Sequence, residues 1–314
     1  MLEMTNDSQN SFEDDVIDGL SQVQKTIPCR WLYDERGSEL FEEITVLPEY
    51  YPTRTETGIL SQYAAEIANH VGPHATVVEY GAGASVKTRI LIDALEELTT
   101  YIPVDISAEF LQTSAASLQE DYPDLHIEPV VADFLSTVEL PEKSIKGARV
   151  GFFPGSTIGN LKSSEITGFM QRAREDLGAG AQFVLGADLK KDPNILIPAY
   201  DDSAGITSEF NLNLLRRING ELDANFDVAS FNHEARWNDD DARIEMHLVS
   251  ERDQSVEISG KIFDFRQGET VHTENSRKFE IEALEKLIGQ CGWQMADSWV
   301  DKDSLFSVLL FKAI

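Results

Sequence analysis

Glu79-Tyr80-Gly81-Ala82-Gly83-Ala84-Ser85 sets a carboxylate just ahead of two closely spaced glycines. Glycine at such a turn lets the backbone approach a ligand where a Cβ would collide. A dinucleotide fingerprint would continue to a third glycine, and this chain has Val86 there. The acid ahead of the glycines suits a cationic ligand better than a phosphate. S-adenosylmethionine, with a positive sulfonium and a positive amine, fits such a turn. Asp105 is placed to accept from two ribose hydroxyls. Asp133 is placed to accept from an adenine amine while the Phe134 ring packs on the base. A single Gly-x-Gly turn is often only a turn. Three such features at three strand ends converge on one site, because ligands of open parallel sheets bind beyond the carboxyl ends of the strands.

The acceptor of a methyl group has to be read elsewhere. Many nucleic-acid and protein N-methyltransferases carry an Asp/Asn-Pro-Pro-Tyr loop after the fourth strand. Here the loop is Pro154-Gly155-Ser156-Thr157-Ile158-Gly159-Asn160. Asn160 offers both a donor and acceptors at the end of the sheet. The formal net charge of -29 argues against nucleic acid and anionic lipid as partners. Together these point to a small-molecule acceptor. The acidity is consistent with a solvated surface, or with a salty cytoplasm that screens the self-repulsion.

Other classes are excluded by composition. A hydrophobic fraction of 42% suits a folded globular protein rather than a disordered chain. No apolar run approaches the ~20 residues of a membrane helix. The acidic, polar N-terminus lacks the regions of a secretory signal. Cys29 and Cys291, the only cysteines, make neither a disulfide framework nor a zinc site, so a cytoplasmic protein without a metal is expected.

The elements that must position these residues alternate. Strands are expected at Thr76–Tyr80, Tyr101–Val104, Ile127–Ala132, Ala148–Phe153 and Gln182–Ala187. Helices are expected at Val86–Leu98, Ala108–Leu118 and Ser164–Leu177, where apolar residues recur at helical spacing. Such alternation predicts a parallel sheet covered by helices on both faces. Asp192–Phe231 reads as mostly helical and Ala242–Phe265 as two strands. An amphipathic helix at Phe279–Cys291 and strands at Trp293–Trp299 and Ser304–Phe311 close the chain. Thr53 or Thr55 reads as a helix cap. The expected fold is α/β: a Rossmann-like, seven-stranded class I methyltransferase domain (55–188 with 279–314) and a mixed α+β domain (1–54 with 189–278).

Four segments carry a resemblance: Leu47-Pro-Glu-Tyr-Tyr-Pro-Thr-Arg-Thr-Glu56, Gly155-Ser-Thr-Ile-Gly-Asn160, Ala199-Tyr-Asp-Asp202 and Arg243-Ile-Glu-Met246. From about Trp31 onward the chain resembles the histidine Nα-methyltransferases of ergothioneine biosynthesis. The resemblance implies a monomer that trimethylates the α-amine of L-histidine to hercynine, with the mixed domain binding the substrate. It puts Tyr50, Asn160 and Tyr200 on the carboxylate and amine of the amino acid. Tyr33 falls near the amine and the transferred methyl. Tyr33, Tyr50 and Asn160 are therefore the implied catalytic positions. Glu274 and Ser276 would hydrogen-bond the imidazole, and Met246 would pack on it. Gly81, Gly83, Lys87, Asp105, Asp133, Phe134 and Gly155, with Tyr33, would hold the cofactor.

Blander roles exist for each residue. Tyr50-Tyr51-Pro52 resembles a packed loop, Lys87 a surface lysine and Met246 a core filler. Among the histidines only His70 and His74 have ligand-like spacing, and Gly72-Pro73 breaks the helix between them. No histidine is assigned a metal or catalytic role. Two other functions fit the same motifs: a sister enzyme acting on an indole amine, and a non-catalytic S-adenosylmethionine-binding protein. An amino-acid panel separates the first, and binding without turnover would reveal the second.

Overall fold

The computed structural model describes residues 11–82, 86–141 and 145–314. Gly83, half of the expected glycine pair, lies outside the described residues. The chain forms two compact units, Tyr51–Lys191 with Arg277–Ile314 and Met1–Tyr50 with Asp192–Ser276.

The changeovers fall a few residues from the expected ones, for local reasons. The helix Tyr51–Val71 begins ahead of both threonines. Pro52 sits in its first turn, where a missing N–H costs nothing. Thr55 is not a cap: its hydroxyl donates back to the Tyr51 carbonyl at 2.8 Å. Past Asp188, Leu189 N–H donates to Leu305 and Lys190 N–H to Phe279, which keeps this stretch with the larger unit. Arg277 and Lys278 stay there too, through Ser163 Oγ and the buried Asp188 carboxylate, each at 2.7 Å.

In the larger unit the sheet order is Trp293–Val300, Phe306–Ala313, Gln182–Asp188, Arg149–Phe153, Thr76–Tyr80, Thr100–Asp105 and, at the edge, His126–Ile127. Phe306–Ala313 runs antiparallel to both neighbours, and the pairs from Gln182–Asp188 to the edge are parallel. The expected strand Ile127–Ala132 is two short pieces, because Val130–Val131 pairs separately with Thr100–Asp105. Pro129 between them has no N–H to give the ladder.

Strand residues are buried on both faces, as a sheet sandwiched by helices requires. On one face Val78, Val104, Phe153, Phe183 and Leu309 pack with Phe169, Met170 and Ile288. On the other, Val77, Val150, Phe152 and Val308 pack with Ile59, Ile67, Leu91 and Leu118.

The smaller unit holds a four-stranded sheet in the order Lys25–Thr26, Thr270–Arg277, Arg243–Ser250, Phe231–Asn238. Gln254–Ile258 and Lys261–Phe265 form a separate hairpin whose turn puts Ser259 and Gly260 at positive φ. The helices Glu35–Thr45, Pro193–Tyr200 and Ile206–Glu221 belong to this unit. Ala242–Phe265 thus holds three strands rather than two, and two more flank it. Thr270–Arg277 gave no apolar alternation because the side chains it buries are Thr270, Thr273, Glu274 and Ser276 as well as Val271. Polar inward positions erase the hydropathy signal.

Candidate active site

Two sets of candidate residues exist, one in each unit. In the larger unit they gather at the carboxyl ends of the parallel strands. Gly81 follows Thr76–Tyr80 with φ 72°, a conformation that side chains rarely adopt. Its N–H donates to the Val104 carbonyl at 2.8 Å. A Cβ there would stand 3.6 Å from the Phe134 ring, so that ring lies over the bare glycine face. Phe134 is held by edge contacts with Phe153 and Phe169, at centroid distances of 5.2 and 5.6 Å.

Asp105 ends Thr100–Asp105 and accepts from Ser107 N–H at 2.8 Å, and burial pushes its carboxyl pKa up. Asp133 accepts from Leu135 N–H at 2.8 Å. Both carboxylates are thereby fixed by their own turns. Gly155, after Arg149–Phe153, has φ 82°, and Lys87 is buried on the helix Val86–Ala94. Asn160 ends the short 3-10 turn Thr157–Asn160 and is half-buried.

Glu79 differs from expectation. Rather than facing a ligand as a free anion, it is fully buried, and its Oε2 accepts from the Thr88 and Tyr101 hydroxyls at 2.8 and 2.6 Å. Its Oε1 has no partner among the described residues. Burial raises its pKa to about 7 against the lowering effect of those two bonds. The Cβ-free face of Gly81 under Phe134, the carboxylates ending the next strands and this orphaned oxygen together fit a nucleoside donor with a cationic group.

In the smaller unit the candidates sit among aromatic rings. Tyr33 follows the 3-10 turn Cys29–Leu32. The next residue, Asp34, anchors the segment by accepting from Gly37 N–H at 2.7 Å and Asn213 Nδ2 at 2.8 Å. Tyr33 packs edge-on to Phe41 and Phe210 at 5.5 and 5.4 Å, and Tyr50 packs on Tyr200 at 6.1 Å. Burial, and then the Glu274 carboxylate, push the Tyr33 phenol well above its usual pKa, so it stays protonated at neutral pH.

Tyr200 ends the helix Pro193–Tyr200, and its hydroxyl meets Ser276 Oγ at 2.7 Å. Glu274 and Ser276, two apart on one strand, share a face, and both are buried. Met246 lies on the neighbouring strand Arg243–Ser250, 1% exposed. Asp202, from the same motif as Tyr200, caps the helix Ile206–Glu221 by accepting from Ile206 and Thr207 N–H.

The profile of the family described as histidine-specific methyltransferase, S-adenosylmethionine-dependent, matches residues 12–313. The chain belongs to that family. Among relatives of this methyltransferase, histidine N-alpha-methyltransferase of Mycolicibacterium smegmatis is 40% identical, with 94% of this chain and 93% of that protein covered. Ergothioneine biosynthesis protein 1 of Neurospora crassa is 30% identical over 88% of this chain, which spans 32% of that longer protein. A solved structure from Thermobifida fusca, described as a methyltransferase, matches with a TM-score of 0.50 at 12% identity, covering 94% of this chain and 97% of that one. That likeness is one of fold.

Behind the candidate residues, this methyltransferase has a polar brace that sequence reading missed. Asn211 Nδ2 donates to the His247 carbonyl at 3.2 Å and pairs with His233 Nδ1 at 2.9 Å, while its Oδ1 accepts from Thr273 at 2.7 Å. His233 Nε2 donates to the Tyr200 carbonyl at 2.7 Å, and His272 Nε2 to that of Glu274 at 3.0 Å. Tyr200 and Glu274 are thus gripped by their backbones. The signal in the sequence was an asparagine at helical spacing from Leu214, Leu215 and Ile218, on an apolar face where a polar side chain needs partners.

Glu245, His247 and His272 have the residue types of a metal site, and their ligand atoms lie within 4.8 Å of one another. Spacing along the sequence could not find the set, because His272 joins Glu245 and His247 from the adjacent strand. Arg243 already opposes the Glu245 charge at 2.7 Å. Although burial opposes it, hydrogen bonds from Asn238, Arg243 and His247 hold Glu245 down at about 2. The two imidazoles stack at 4.8 Å and 18°, so their lone pairs do not converge on one point. The trio reads as part of the brace. His70 and His74 are apart: the helix ends at Val71, His70 pairs with Asp297 and His74 with Glu97.

Proposed function

We propose that the protein transfers three methyl groups in turn from S-adenosylmethionine to the α-amine of L-histidine, giving hercynine, the first step of ergothioneine biosynthesis. The observation that carries this reading is the strand face bearing Glu274 and Ser276, with Ser276 bonded to Tyr200 and Met246 on the next strand. A buried carboxylate beside a hydroxyl can bond both nitrogens of an imidazole. A plain aromatic ring offers neither, a difference worth several kcal/mol in discrimination.

Tyr50, Asn160 and Tyr200 are the proposed partners of the amino acid's carboxylate and amine, with Tyr33 beside the amine. Gly81, Gly83, Lys87, Asp105, Asp133, Phe134 and Gly155 are the proposed donor-binding residues. The donor, when bound, supplies an electrophilic methyl on sulfur. What the chain must do is hold a neutral amine lone pair in line with that methyl, and orientation of this kind is worth roughly 7–11 kcal/mol. A Tyr33 that is already protonated can orient the amine but cannot take up the amine's proton, which has to pass to solvent. The aromatic group of Tyr33, Phe41, Tyr50, Tyr200 and Phe210 suits a head group that ends as a quaternary cation. The proposed setting is a monomer in the cytoplasm; Cys29 and Cys291 form no disulfide, as a reducing compartment would have it.

Purified protein given S-adenosylmethionine should release S-adenosylhomocysteine far faster with L-histidine than with L-tryptophan. Mass spectrometry should find the trimethylated product. Equal rates, or none with histidine, overturn the reading.

A further inference from the structure

Glu56 ends the motif Leu47–Glu56, yet neither set of binding residues above includes it. It is 1% exposed on the helix Tyr51–Val71. A carboxylate is buried at a cost of several kcal/mol unless its oxygens are taken up. Here both are. Oε2 accepts from Lys87 Nζ at 2.6 Å, and the Gly155 N–H points between the two oxygens, 2.8 and 3.0 Å away. The room for it comes from Gly186 on the strand Gln182–Asp188, where an added Cβ would overlap Glu56 Oε1. Four separate pieces of chain therefore meet at one carboxylate.

Two of those pieces bear proposed donor-binding residues. Gly155 has φ 82° and the next residue, Ser156, φ 57°, an uncommon conformation for a residue with a side chain. Such a turn persists where its surroundings hold it. Glu56 holds it from one side, and Ser156 Oγ, accepting from Asp188 N–H at 2.9 Å, from the other. Lys87 Nζ lies close by: a Cβ on Gly155 would be 3.6 Å from it. An ammonium has three N–H donors, and among the described residues Glu56 takes one of them. The methyl donor ends in an α-amino acid, whose carboxylate can accept the others.

We propose that Glu56 is a positioning residue for the methyl donor: its carboxylate fixes the Lys87 ammonium and the Gly155 amide in one corner, where Lys87 takes the donor's carboxylate. The inference rests on the donor reading above and is independent of which amine is methylated.

The test is calorimetric binding of S-adenosylhomocysteine to wild type, Glu56→Gln, Lys87→Met and the double variant, with thermal unfolding of each. Glutamine keeps the shape but sets an N–H against one of the two donors. It also leaves the buried Lys87 without a counter-charge. Glu56→Gln should weaken binding about 10- to 100-fold. Its binding of 5′-methylthioadenosine, which lacks the amino-acid end, should change much less, a contrast that loosened packing alone would not give. The double variant should bind no more weakly than the worse single one, since both act through one contact. A folded Glu56→Gln within about twofold of wild type overturns the proposal, as does an equal loss for both ligands or an additive double variant. If Glu56→Gln does not fold, Glu56→Asp keeps the charge and withdraws it by one methylene. A loss confined to S-adenosylhomocysteine is expected there, and wild-type affinity overturns the proposal. Wild-type protein that fails to bind S-adenosylhomocysteine would instead overturn the donor reading.

Discussion

Tyr200 and Ser276 meet hydroxyl to hydroxyl at 2.7 Å, joining the end of a helix to a strand. The bond ties the rotamer of each side chain to that of the other. Ser276→Ala should raise the KM for histidine roughly tenfold, the scale of one buried hydrogen-bond partner left unmet. Turnover at saturating histidine should change less. Steady-state release of S-adenosylhomocysteine measures both, and an unchanged KM would remove Ser276 from the substrate set.

Glu274→Ala should cut kcat/KM for histidine on the order of a hundredfold or more, while S-adenosylhomocysteine affinity holds. Calorimetry alongside kinetics separates the two. A parallel loss of both would make Glu274 a structural residue of its strand.

Glu79 gives stability a pH dependence. Its folded pKa of about 7 lies above the unfolded value of about 4.5, so the native state binds the proton more tightly. That contribution is fully present below pH 4.5 and is lost as pH rises through 7. Its full size is on the order of 3 kcal/mol. Thermal unfolding of wild type should therefore lose ground to Glu79→Gln across that window. Parallel curves for the two proteins would contradict the assignment.

The net charge of -29 predicts self-repulsion in dilute buffer. Raising sodium chloride toward about 0.5 M shortens the screening length to a few ångströms and should raise the midpoint of thermal unfolding. A flat midpoint sinks this reading of the acidity.

Apolar runs ending in Gly81, Asp105 and Asp133 disclosed the parallel sheet and its carboxyl end, since burial on both faces leaves a dense hydropathy signature. The strand Thr270–Arg277 left none, because it turns Thr273, Glu274 and Ser276 inward, and only likeness to a family pointed to it. Glu79 read as a fully free anion because sequence records residue type and order but not that the Thr88 and Tyr101 hydroxyls take one of its oxygens. Phe41, Phe210, Asn211 and the histidine brace depend on contacts between distant segments, which no local pattern encodes.

The strand Phe306–Ala313 lies inside the larger sheet, between Gln182–Asp188 and Trp293–Val300, and runs antiparallel to both. Without it the flank of Gln182–Asp188, with Val184 and Leu185, would be an open row of backbone amides, the kind of edge that pairs with other chains. Removing this strand would take out an inner rib, not trim an edge.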